Sequence, residues 1–105
     1  MQVERPRARR YSFIASIELT DLQSETQTRE QTSDLSLFGC RVDTVKPLVP
    51  GTKVRIKISH RGEHFEALGK VAYAQPNAGM GIVFTRIELN DQVILDNWIA
   101  EPRDK

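Results

Sequence analysis

Cysteine is nearly absent from this chain of 105 residues. Cys40 stands alone, so no disulfide can close within the chain, and no Cys/His spacing resembles a zinc site or another metal site. A reducing, cytoplasmic setting is the expectation. Long apolar runs are missing as well. Nothing approaches the roughly 20 residues a membrane helix requires, and the arginine-rich start lacks the apolar stretch of a signal peptide, so membrane insertion is not expected. Net charge is only +1, which excludes a generally basic surface. Aromatic residues make up 7% of the chain, and Phe13, Phe65 and Tyr73 fall on positions that read as core-facing. Few rings are left to stack on bases, which disfavours a nucleic-acid module. No nucleophile, base and orienting group stand at a persuasive spacing, so catalysis is the least favoured class and no catalytic residue is assigned.

What is present is alternation of period two. Tyr11, Phe13, Ala15, Ile17 and Leu19 face one way with polar residues between them, the pattern of a half-buried strand. A weaker second strand follows over residues 28–36, and a third over 39–44, where Cys40, Val42 and Thr44 alternate with Arg41 and Asp43. The clearest hairpin joins residues 53–59, with Val54, Ile56 and Ile58 inward, through "HRGE" to 64–74, with Phe65, Ala67, Gly69, Val71 and Tyr73 on one face. "MGIVFT" (80–85) is the sixth strand. The period then changes: Ile94 with Trp98 and Leu95 with Ile99 are pairs four apart on one helical face. Asn90 reads as the N-cap, Leu89 with Ile94 as a hydrophobic staple, and Pro102 as the stop. The expected fold is all-β: a small six-stranded antiparallel barrel over residues 11–100 that includes a C-terminal α-helix. Residues 1–10 read as a flexible basic segment and 101–105 as a tail.

Charge is concentrated where the barrel begins. Arg5, Arg7, Arg9 and Arg10 stand against Glu4 alone, leaving the other 95 residues slightly acidic, so the positive charge marks a site. About two dozen residues later comes "DLSLFG" (34–39). Asp34 accepts hydrogen bonds, Ser36 donates and accepts, and Gly39 permits a tight bend or a close backbone approach. On an extended chain Asp34 and Ser36 project to the same side. Each piece also has a plain reading: a solvated tail for the arginines, and turn capping for Asp34 and Ser36. Cys40 and Trp98 read as core, Tyr11 as the barrel's first residue within reach of a bound base, and His60 and His64 as exposed turn residues.

Taken together, the arginine cluster, the D-x-S-x-x-G segment, "PGTKVRIKIS" (50–59) and "GKVAYA…GMGIVF" (69–84) resemble a PilZ domain over about Arg5 to Ile99. The resemblance implies binding of the bacterial second messenger cyclic di-GMP, with no cofactor, by an R-x-x-x-R segment and the D-x-S-x-x-G turn. Carried onto this sequence, the ligand-binding set is Arg5, Arg9, Arg10, Asp34, Ser36 and Gly39. The chain departs from the family at the arginines. Arg10 directly precedes the leading apolar residue Tyr11, yet Pro6 stands four residues before it. Either Arg5 and Arg9 clamp the ligand in a shifted register, or Arg10 is the second arginine and Arg5 or Arg7 replaces the first. The implied function is a single-domain receptor whose ligand switches a surface for a protein partner. The alternative is a degenerate member that binds a protein without the dinucleotide.

Overall fold

In the structure of residues 9–101, a computed structural model, the alternation that begins at Tyr11 is carried by two pieces, β1 (Tyr11–Ser12) and β2 (Ser16–Asp21). Both pair with one edge of β3 (Gln27–Leu35): Ser12 faces Asp34 and Ser16 faces Gln31, so three residues, 13–15, oppose two, 32–33. The extra residue is a bulge, stitched by the buried Thr32. Its Oγ1 accepts from the Ala15 N–H at 3.0 Å and donates to the Phe13 carbonyl at 2.6 Å, so the backbone freed by the bulge is still bonded. The expected single strand over 11–19 is thus interrupted; of its inward residues Phe13, Ala15, Ile17 and Leu19 are buried, and Tyr11 is half-buried.

Four further strands follow: β4 (Gly39–Asp43), β5 (Lys53–His60), β6 (Glu63–Gln75) and β7 (Gly79–Arg86). Antiparallel pairing runs β3-β2-β5-β6-β7-β4, and β4 returns to the second edge of β3, closing a barrel of six strands with no open edge. Val54, Ile56 and Ile58 of β5 are fully buried. Each such side chain contributes about 1.5–3 kcal/mol relative to exposure. The β5–β6 hairpin turns through Arg61 and Gly62, both with positive φ (51° and 80°), as a two-residue turn between right-twisted strands demands.

Helix α1 (Leu89–Ala100) packs on β6 and buries Leu95 and Trp98. Its start differs from the reading of Asn90 as cap. Glu88 is the N-cap, without a capping bond from its side chain, and Asn90 lies inside the first turn. Leu89 is 79% exposed, so no staple forms with Ile94. Asp91 anchors the helix start instead, accepting the Glu66 N–H at 2.8 Å. That donor is open because the β6–β7 pairing runs only from Gln75 to Leu68. At the other end, Trp98 Nε1 donates to Glu63 at 3.1 Å, and its ring lies 5.4 Å from Phe13 and 5.3 Å from His60. His60 therefore belongs to an aromatic cluster and bonds Glu101 at 3.3 Å, rather than standing exposed at the turn. His64 is exposed.

Cys40, on β4 between β3 and β7, is fully buried, as read. Burial first, and then the nearby Asp34 charge, push its thiol from the ordinary 9.0 up to about 12. The folded chain holds that proton where the unfolded chain releases it. Stability from this group is therefore complete below about pH 9 and is lost as pH rises toward 12. A thiol-specific reagent at pH 8 is expected to label Cys40 only at the rate of unfolding; fast labelling of folded protein would contradict its burial.

Candidate functional site

Strand register brings Arg10 to the D-x-S-x-x-G segment. Because Ser12 pairs with Asp34, the chain entering β1 passes the end of β3 and sets Arg10 beside the Asp34 carboxylate. Arg10 Nε donates to Oδ2 at 3.3 Å and Nη2 to Oδ1 at 3.1 Å, joining residues 24 apart in sequence. On the opposite edge of β3, Arg41 pairs with Asp34, and its backbone N–H donates to Oδ1 at 3.1 Å. One carboxylate thus accepts from three N–H groups, two from Arg10 just ahead of β1 and one from Arg41 in β4. The hydrogen bond to Asp34, more than the charge alone, raises the Arg10 pKa above its usual value.

The other residues of the expected set are placed differently. Ser36 lies past the end of β3 and is 4% exposed. Its Oγ accepts from the Phe38 N–H at 3.1 Å and the Gly39 N–H at 3.2 Å, so the hydroxyl holds the turn together. It therefore does not project beside Asp34 as the extended-chain spacing suggested. A Cβ on Gly39 would come within 2.1 Å of the Ile82 carbonyl oxygen, so this glycine lets β4 and β7 close up. Arg9 is exposed, and Arg5, with Arg7, lies outside the described residues.

Three side chains that the sequence reading did not select complete the site. Arg41 Nη1 donates to the Tyr73 hydroxyl at 3.2 Å and Nη2 to Gln75 Oε1 at 2.9 Å, with the guanidinium 6.0 Å from the Tyr73 ring centre. Tyr73 is 39% exposed, not core-facing as expected, because a register shift between Val71 and Tyr73 turns it outward. Gly81, flanked by Arg41 and Tyr73 in the sheet, provides the floor: a Cβ there would meet the ring at 2.1 Å. The outward position of Arg41 was visible in the alternation. The outward turn of Tyr73 had no signal except the two glycines of "GMG". The result is an open shelf of two guanidinium groups, a carboxylate, an amide and an aromatic ring, suited to anions and flat, hydrogen-bonding rings.

A second feature is a cleft of about 330 Å³ between β5, β6 and the start of α1, lined by Arg55, Glu66, Leu68, Arg86, Glu88 and Asp91. Its two arginines stand against three carboxylates, and Arg86 already bonds Glu88 at 3.0 Å. No group of three or more possible metal ligands occurs among the described residues. No helix among them is long and apolar enough to cross a membrane.

A closed six-strand barrel with one C-terminal helix, carrying such a shelf at a strand junction, defines a small binding barrel. The family model of the PilZ domain matches residues 4–101, and the chain belongs to that family, whose members are binding or receptor domains rather than enzymes. No curated protein matches it. Among solved structures, the PilZ domain of CeSA from a cellulose-synthesizing bacterium is similar at TM-score 0.71 and 20% identity, over 87% of this chain and 94% of that one. The PilZ domain of YcgR from Escherichia coli, solved with c-di-GMP, is similar at TM-score 0.70 and 19% identity, over 91% and 89%. The Bacillus subtilis inhibitor of motility, MotI/DgrA, gives 0.69 and 17%, over 91% of this chain but 49% of its own. At these identities the likeness is one of fold.

Proposed function

We propose that this protein is a receptor for cyclic di-GMP, with Asp34 reading a guanine and arginines of the segment from Arg5 to Arg10 taking the phosphates. The observation that carries the reading is the meeting of Arg10 and Asp34 at 3.1 Å on an exposed shelf. The two motifs need to converge for one dinucleotide, and these two residues do so across 24 positions of sequence. Arg10 then serves as the second arginine, with Arg5 or Arg7 in place of the first and Arg9 alongside. Ser36 and Gly39 contribute by shaping the turn that presents Asp34. Arg41 and Tyr73 extend the shelf with a cation and a ring face for the second base or phosphate. Closure of the arginine segment over the ligand would alter the surface shown to a protein partner, and a cytoplasmic location goes with this reading.

Calorimetry with cyclic di-GMP is the test. Saturable binding to the native protein is expected, with Asp34→Ala weakened roughly 30–100-fold, the range for losing hydrogen bonds to a charged group. Added salt should weaken binding, since phosphate contacts are screened. Asp34 is partly exposed, so a thermal melt is expected to show the variant folded. Absence of heat with the native chain, together with a protein recovered on it as bait, would leave the degenerate alternative standing.

A further inference from the structure

The Arg10–Asp34 pair carries a second consequence, which rests on the reading of Asp34 as a guanine acceptor. Arg10 presents Nε–H and Nη2–H, two donors on one sp² carbon, to the two oxygens of one carboxylate. The Watson–Crick edge of guanine presents the same unit: N1–H and the exocyclic N2–H, also on one sp² carbon. Adenine does not, since its corresponding ring nitrogen is an acceptor that a carboxylate repels. Asp34 is held for a two-donor partner by the Arg41 N–H on Oδ1, which fixes the carboxylate from the opposite edge of the strand. We propose that Arg10 is a built-in stand-in for guanine, a competitor that occupies Asp34 until a ligand displaces it.

The pair is made to be exchanged. At 3.1 and 3.3 Å it is longer than the ~2.7–2.9 Å of tight charge-assisted bonds, and the Arg10 side chain is 52% exposed. Within the same barrel Arg29 and Glu18 close to 2.7 Å. A displaced Arg10 is released next to whatever the ligand brings. A ligand with an anionic phosphodiester gives the guanidinium a new bidentate partner; a bare guanine nucleoside takes its carboxylate and returns nothing. Arg10 therefore opposes the base alone and favours the base joined to phosphate, which makes it a specificity-determining residue.

The experiment is a pair of NMR titrations, of the native protein and of Arg10→Ala, with guanosine and with cyclic di-GMP, followed at the Arg41 amide that touches Asp34. Guanosine is expected to bind Arg10→Ala about 5–10-fold more tightly than the native chain, the reciprocal of the fraction of molecules in which Asp34 stands open. Cyclic di-GMP is expected to bind the variant about 10-fold more weakly, through the lost phosphate contact. The Arg10 Nε–H resonance of the native protein should shift on adding cyclic di-GMP and hardly move with sodium phosphate. Weaker or unchanged guanosine binding in Arg10→Ala would overturn the stand-in while leaving the receptor reading intact. No response of the native chain to cyclic di-GMP would overturn both. Arg10→Gln, which keeps the length of the side chain but loses the charged fork, should behave like Arg10→Ala with guanosine.

Discussion

Trp98→Ala is expected to destabilise the fold by about 3–5 kcal/mol, the cost of emptying a fully packed aromatic site. Trp98 is completely buried, lies 5.4 Å from Phe13, 5.3 Å from His60 and 6.2 Å from Phe65, and donates to Glu63. The substitution leaves a large cavity and strips Glu63 of its donor. Domains of this size are stable by about 5–15 kcal/mol, so a large fraction of the total is at stake. Urea unfolding followed by circular dichroism measures the loss. Leu89→Ala provides the comparison on the same helix: at 79% exposure it should stay within about 0.5 kcal/mol of the native value. Equal effects of the two would show that α1 is not packed as described. The loss also bears on the site. Phe13 stacks on Trp98 three residues after Arg10, so the helix helps hold the strand that delivers Arg10 to Asp34.

Gly39→Ala should be nearly as damaging, at about 3 kcal/mol and a fall in melting temperature of roughly 10–20 °C. The added Cβ would stand 2.1 Å from the Ile82 carbonyl oxygen and 3.2 Å from the Val83 Cα. Both are backbone atoms of β7, so no side chain can rotate aside and the strands must part. Gly51 is the control. A Cβ there meets nothing within 4 Å, and the penalty comes only from its φ of 95°. A melting temperature for Gly39→Ala within about 2 °C of native would refute the close β4–β7 approach. Because Gly39 closes the turn that Ser36 caps, the variant should also weaken cyclic di-GMP binding, through a displaced Asp34 rather than a lost contact.

These two residues also show how legible the molecule was. Trp98 reads as core from the helical face it shares with Ile94, Leu95 and Ile99, and the turn at Gly39 from its letter pattern. The helix start was misread because capping residues are judged by local preference. The side chain of Glu88 makes no capping bond, and Asp91 serves a strand far away in sequence. Tyr73 was assigned inward because alternation assumes an unbroken register. The shift after Val71 breaks it, and only the bare backbone of Gly81 leaves room for the ring.

Apolar periodicity by itself determined where most strands lie, the inward residues except Tyr73, and the C-terminal helix, because burial of apolar side chains repeats with the local period of the backbone. The sequence also held both halves of the candidate site, the arginines and the acid. Tertiary structure alone decided that Arg10 reaches Asp34, that Ser36 turns inward, and that Arg41, Tyr73 and Gln75 share the shelf. Those outcomes depend on strand register and on single-residue bulges, which are fixed by pairing between distant segments and leave no periodic trace in the chain.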